Sequence, residues 1–404
     1  MSIPLKDICE LIVDCPHSTA PDEGEGYPLI RTPNIGPGYL DLTDVHRVSK
    51  EVYDERNARA VPRPNDLILA REAPAGNVGI VPDGQSVCLG QRTVLIRPDQ
   101  SKVDPQFLNY YLNAPRQRHR LLSSANGATV SHVNMPVIRS LPVDLPERSE
   151  QERIAGILGS YDKLIDVNRK QMALLEEAAQ RLYKEWFVSL RFPGYESAII
   201  NDGVPKGWEV VSLKDTFDFV RGRSYTSKEI DTEEGIKLVN LKNIRAYGGW
   251  ERNAEKRFDG RYKTEQTVAA GDIVMAVTDM TKERRLVGHV ALVPTLIEPA
   301  IISMDLIKLI PINVESMWLY AELRFSGLAE TIALFANGTN VLHLKPELIS
   351  TLSVTRPSLE VQEKFAAIAE PLAAEIDCLS EQCEQLAEAR NRLLPKLMTG
   401  EIEV

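Results

Sequence analysis

Two kinds of hydrophobic pattern alternate along the chain. Over residues 1–148 and again over 192–357, apolar residues come in short runs, such as 66–70, 93–96, 272–277 and 300–310, separated by Gly, Pro, Asn and Asp. Runs of that length with that punctuation predict strands and turns with a few helices. Over 149–191 and 358–404 the period changes. From Tyr161 the apolar face runs through Ile165, Asn168, Met172, Leu175, Ala179, Leu182 and Trp186 in alternating steps of four and three. That is the heptad seam of a helix with a partner. Adding 211 to each number gives Leu372, Ile376, Leu379, Cys383, Leu386, Arg390, Leu393 and Leu397, the same seam in the same register.

Local signals refine both helices. Ser149 and Glu152 form a capping box and predict the start of the first. Gly159-Ser160 and Pro371 occupy equivalent places and predict a break before each long helix, while Pro395 predicts an early end to the second. Residues 161–186 make roughly 39 Å of helix at about 1.5 Å per residue. Twin seams of equal length predict that the helices pair. Antiparallel pairing, with one globular unit at each end, is expected over parallel. The alternative is that each helix packs only on its neighbouring domain.

The globular regions repeat as well. Leu5-Lys6-Asp7 recurs as Leu213-Lys214-Asp215, Asn34-Ile35 answers Asn240-Leu241, and the run at 66–69 answers 272–275. Asn126-Gly127 pairs with Asn337-Gly338, His132 with His343, Leu141 with Leu352, Gln151-Glu152 with Gln362-Glu363 and Arg181-Leu182 with Arg392-Leu393, all at an offset of 211. The collinear order of these matches predicts an α+β protein made of two copies of one plan, each a mixed region followed by a helix.

Composition narrows the function. The 404 residues suit two or three domains with sizeable cores. The 47 basic and 57 acidic residues leave a net charge of −10, which excludes a uniformly basic nucleic-acid coat but not local basic faces. Five scattered cysteines point to a reducing compartment, and neither a signal segment nor a membrane-length apolar run is present. A cytoplasmic location is expected.

Several chemistries lack their residues. There is no Gly-Lys for a phosphate loop, no Glu-x-Lys or Asp-x-Lys for a metal-dependent nuclease, and no Pro-Pro for the base-holding loop of an amino-methyltransferase. Cys9, Cys15 and His17 fit no zinc spacing, so no metal is expected. Phosphate-binding surfaces are easier to find. Residues 105–143 contain no acid yet hold Arg116, Arg118, Arg120 and Arg139, and 237–263 carries eight basic against three acidic residues with Tyr247, Trp250, Phe258 and Tyr262 interleaved. Polar loops follow strand-like runs at 70–77 and 278–282, where Arg suits guanine and Asn adenine. The candidate DNA contacts are Arg71, Asn77, Arg92, Arg116, Arg118, Arg120, Ser131 and His132 in the first copy. In the second they are Lys242, Arg245, Lys282, Arg284, Arg285, Asn340 and His343. For His132 and His343, a structural histidine closing a turn is an equally good reading.

Assembled in this order, the chain resembles the specificity (S) subunit of Type I restriction–modification enzymes. The resemblance rests on Pro205-Lys206-Gly207-Trp208-Glu209, on the stretch from Leu141-Pro142-Val143 to Gln151-Glu152-Arg153-Ile154-Ala155, and on Leu393-Leu394-Pro395-Lys396-Leu397-Met398-Thr399-Gly400. The loops Asn126-Gly127-Ala128-Thr129 and Asn337-Gly338-Thr339-Asn340 are similar too, although the first copy begins at Ile3-Pro4-Leu5 without the Pro-x-Gly-Trp entry. The resemblance implies target-recognition domains at 1–148 and 192–357, each reading half of a bipartite, asymmetric duplex target. Helical regions at 149–191 and 358–404 would form an antiparallel spacer that docks two modification (methyltransferase) subunits. Restriction (motor-nuclease) subunits would join, and S-adenosylmethionine, ATP and Mg would belong to the partners, leaving this chain without catalysis. A spacer of roughly 39 Å compares with about 34–36 Å for one turn of duplex. A reading of another class is a coiled-coil protein-interaction adaptor without specific DNA binding.

Overall fold

The computed structural model describes residues 2–404 except 44, 73–74, 124–131, 232, 253–255 and 282. Contacts divide the chain into two units, residues 1–166 with 384–404, and residues 167–383.

The first unit is built on an antiparallel sheet ordered Cys9–Asp14, Thr93–Pro98, Leu67–Ala70, Val78–Ile80. Its third strand shows why an unbroken apolar run forms a strand here. Leu67 and Leu69 face one core with Val94, Ile96 and Phe107, while Ile68 and Ala70 face a second with Cys15, Ile30 and Leu95. Alternate side chains point to opposite faces, and both faces are covered. The second unit has the same order in Phe217–Arg221, Leu306–Pro311, Ile273–Ala276, Val290–Leu292. There Ile273 and Met275 divide from Val274 and Ala276 in the same way. A second sheet, three-stranded in the first unit and five-stranded in the second, covers each second core and contains a parallel pair: Leu29 against Cys88 in the first unit, Lys237 against Ala300 in the second. The repeat alignment needs one correction. Asn34 and Asn243, not Asn240, both end a short 3-10 turn, and the following Ile35 and Ile244 bridge to Leu40 and Trp250.

The protein is α+β, and its two long helices pack on each other. One spans Arg148–Tyr183 and continues as a π turn to Val188; the other spans Leu359–Thr399. In the second unit Asn168 Nδ2 donates to Gln382 Oε1 at 3.2 Å, and the rings of Trp186 and Phe365 lie 6.0 Å apart. In the first unit Arg390 pairs with Asp162, and Ile154 and Leu158 share a core with Leu393 and Leu397. Ascending numbers on one helix meet descending numbers on the other, so the pairing is antiparallel. Ile165, Asn168, Trp186, Leu379 and Leu397 are buried. Tyr161, Met172, Leu175, Leu182, Leu372, Ile376, Leu386 and Leu393 are half-buried, so none of these seam positions is exposed.

Three helix-end expectations are overturned. Both helices run unbroken through Gly159-Ser160, Pro371 and Pro395. Pro371 lies on the exposed face of its helix, and Phe365, Ala369 and Leu379 are buried to either side. Leu393, Leu394, Leu397 and Met398 pack into the first unit's core around Pro395. That burial outweighs the roughly 3 kcal/mol that a proline costs inside a helix. Nor does Ser149 cap the first helix. It begins at Arg148, with the Glu147 carbonyl accepting from the amides of Glu150 and Gln151 and Arg148 pairing with Glu152 at 2.8 Å.

The repeated glutamines explain how each domain is tied to its helix. The Asp104 amide donates to Gln151 Oε1 at 2.8 Å, and Gln151 Nε2 donates to the Pro146 carbonyl at 2.9 Å. The Glu315 amide donates to Gln362 Oε1 at 2.8 Å, and Gln362 Nε2 donates to the Pro357 carbonyl at 2.7 Å. Asp104 and Glu315 themselves cap domain helices, accepting from the amides of Phe107 and Trp318. Both glutamines are 1% exposed. Replacing Gln151 or Gln362 with Leu strands a partly buried amide and a proline carbonyl at once. The expected loss is about 1–3 kcal/mol for each lost pair, read as a lower unfolding midpoint in urea. Replacing the exposed Gln171 with Leu should leave that midpoint unchanged.

Candidate nucleic-acid interface

In both units the candidate contacts gather where the third sheet strand leaves the sheet. In the first unit the loop at 71–77 begins with Arg71, which is only 5% exposed. Its Nη1 lies 2.6 Å from both carboxylate oxygens of Asp14, its Nε donates to the Val133 carbonyl at 3.0 Å, and its Nη2 lies 2.6 Å from His132 Nε2. His132 Nδ1 in turn lies 3.1 Å from Glu72, which also pairs with Arg92 at 2.8 Å. Arg71, Arg92 and His132 therefore meet in one network with Asp14 and Glu72. The guanidinium of Arg71 is turned inward and consumed by it. Asn77 is likewise buried, donating to the Ile35 carbonyl at 2.9 Å.

Arg92 stays exposed despite its pairing, and further cations that reach solvent lie on the neighbouring helix, Pro115–Ser123. Arg116 is exposed, and Arg120 is half-buried and pairs with Gln117 at 3.2 Å. The stem of Arg118 lies against Gly76, where a Cβ would meet its Cγ at 3.4 Å. Gly76 takes φ +85°, so the loop turns there and closes on the helix. Ser131 lies outside the described residues.

The second unit uses the same place with a different loop. Backbone bonds from Gly76 to Ala70 and from Gly288 to Ala276 mark equivalent loop ends. Five residues lie between them in the first unit and eleven in the second. The longer loop is organised by Asp279, which is 0% exposed. Its carboxylate accepts from the Thr281 amide at 2.7 Å, the Thr281 hydroxyl at 2.8 Å, the Leu286 amide at 2.6 Å and the Val287 amide at 3.1 Å. Burial pushes this carboxyl up, but the donors outweigh it and hold it below the usual carboxylate range. Asp279 carries no basic charge to mark it in the sequence. The local signal was the Asp-x-Thr pattern of a side-chain-closed turn.

Around this loop stand the remaining candidates. His343 pairs with Thr278 on a short strand, and reciprocal backbone bonds with Asn337 close a turn that leaves Asn340 exposed. Arg284 takes φ +54° and, like Arg285, is half-buried. The Arg285 carbonyl accepts from the amide of Tyr247, itself half exposed on the turn before Trp250. The matching turn of the first unit exposes Tyr39. Lys242 is exposed, while Arg245 pairs with Glu176 on the first long helix and Arg252 with Asp377 on the second. Part of the basic stretch thus fastens the domain to the helices. Lys282 lies outside the described residues. Among the described residues no cluster of three or more His, Cys, Asp or Glu is placed to hold a metal, and no helix is long and apolar enough to cross a membrane.

Known proteins share this organisation. Residues 1–177 and 205–388 each match the Type I restriction modification DNA specificity domain. The specificity subunit of the Type I restriction enzyme MjaIX from Methanocaldococcus jannaschii is 26% identical over 368 residues, 88% of this chain and 82% of that protein. The HindI specificity subunit of Haemophilus influenzae is 20% identical over 418 residues, covering 85% and 88%. The fold is also that of a crystallised Type I S subunit from M. genitalium, with a TM-score of 0.57 at 15% identity over 98% of this chain and 95% of that one.

Removing the Asp279 carboxylate should free the loop without unfolding the unit. In Asp279→Ala the amides of Leu286 and Val287 should exchange with deuterium at least tenfold faster, at a stability cost of about 1–3 kcal/mol. Exchange at Ile273–Ala276 should stay slow. Unchanged protection at 286–287 would show that the carboxylate does not hold the loop.

Proposed function

The chain belongs to the Type I restriction modification DNA specificity family, and from that premise we propose that each unit reads one half of an interrupted, asymmetric duplex target. It is the non-catalytic specificity component of a Type I restriction–modification system. The observation that carries the proposal is the pair of unlike loops, five and eleven residues long, on equivalent strands of like sheets. A common scaffold with different loops suits two reading heads for two different half-sites.

Roles follow from exposure. Residues 1–148 and 192–357 are the target-recognition domains, and 149–191 and 358–404 the helical regions. Arg116, Arg118, Arg120 and the exposed Arg92 neutralise phosphates beside the first half-site, while the buried Arg71 and Asn77 hold the reading loop in shape with His132. In the second domain Lys242, Arg284, Arg285, Asn340 and His343 face the DNA, and Arg245 secures the domain to its helix. Two modification subunits dock on the helical regions, motor-nuclease subunits join for restriction, and S-adenosylmethionine, ATP and Mg act in those partners. The complex works in the cytoplasm, where the chromosome is.

A base-resolution map of adenine methylation in cells with and without this gene tests the reading directly. One interrupted motif should disappear on deletion, and exchange of residues 192–357 for another domain of the family should alter one half of it only. An unchanged map, or change in both halves, would overturn the proposal.

Charge contributes separately. Replacing Arg116, Arg118 and Arg120 with Ala should weaken binding at low salt and flatten the plot of log affinity against log salt by about two to three, while leaving the preferred sequence unchanged. An unaltered salt slope would remove this helix from the interface.

A further inference from the structure

The longer loop of the second unit presents a side chain that the fold itself does not use. Met280 follows directly on Asp279 and is 75% exposed. It belongs to none of the three apolar clusters of its unit. The residues around it are differently occupied: Asp279 and Thr281 close the turn, Leu286 packs on the second core, and Arg284 and Arg285 bring positive charge. A thioether held outward on a cationic loop gains nothing from water. The first unit has no counterpart, because its loop is six residues shorter between the same backbone bonds.

We propose that Met280 is a specificity-determining residue of the second domain, and that it reads a thymine through apolar contact with the base's 5-methyl group in the major groove. The inference rests on the DNA-specificity reading given above. The thymine methyl is the apolar feature that a base pair presents in that groove. A flexible, polarisable methionine side chain moulds to such a group. The position also suits contact with an edge more than entry into the stack. Met280 sits one residue from an anchor bonded to both sides of the loop, so its reach beyond the loop is that of one side chain.

The test takes the motif from the methylation map and measures binding of the full chain to duplexes in which each thymine in turn is replaced by deoxyuridine, which removes only the methyl. One position in the second domain's half-site should weaken binding about three- to tenfold. The Met280→Ala chain, melting at the wild-type temperature because the side chain is exposed, should bind the thymine and deoxyuridine duplexes equally. Identical deoxyuridine effects in both chains, or a second half-site without thymine, would overturn the inference while leaving the specificity reading intact. So would a uniform loss in Met280→Ala accompanied by loss of 2-aminopurine fluorescence at an unstacked step, which identifies a wedge instead of an edge contact. Absence of any sequence-specific motif would overturn the specificity reading and this inference with it.

Discussion

Each globular region is tied to its long helix by one buried glutamine, and much else in the architecture rests on those two ties. Gln151 and Gln362 each accept from the amide of a domain residue and donate to a proline carbonyl just before the long helix. Both sides of the junction are satisfied by one side chain in a place water does not reach, so neither can shift without leaving a polar group unpaired. The long helices can then commit their seams to each other, and the sheets their faces to two cores. Each domain is left with its loops as the part free to vary.

That division of labour accounts for the asymmetry between the copies. Sheet order, double-faced third strand and glutamine tie are common to both. Charge placement is not. The first unit exposes arginines on a helix beside a short loop, and the equivalent helix of the second, Leu328–Ala333, contains no cation. The second unit has a longer loop wrapped around Asp279, and it spends Arg245 and Arg252 on the long helices. Unlike loops on a shared sheet plan give two surfaces of different charge and shape.

Buried charge shapes the first loop as well. Arg71 lies between Asp14 and His132, with Glu72 and Arg92 beyond. Removing Asp14 would leave the buried Arg71 guanidinium without its carboxylate, which costs more than the pairing contributes. The two acids are paired, not surplus negative charge: Asp14 holds Arg71, and Glu72 holds His132 and Arg92.

Much of the architecture was legible in the residues alone. Duplication, the change from short apolar runs to heptads, and the common register of Tyr161 to Trp186 with Leu372 to Leu397 are periodic properties of neighbouring side chains, and periodicity survives in one dimension. Helix continuity was not legible. Pro371 and Pro395 are local breakers, and only the cores on either side of them overrule that preference. The candidate site divided along the same line. Local charge pointed to Arg116, Arg118 and Arg120, which lie at or near the surface, but could not show that Arg71 meets Asp14, 57 residues away in the chain, or that Arg245 meets Glu176. The sequence by itself determined which segments repeat, which faces are apolar and where cations are concentrated, because those depend on near neighbours. Tertiary structure alone decided which cations face water and which are held by an acid, because burial and pairing depend on what folding brings alongside.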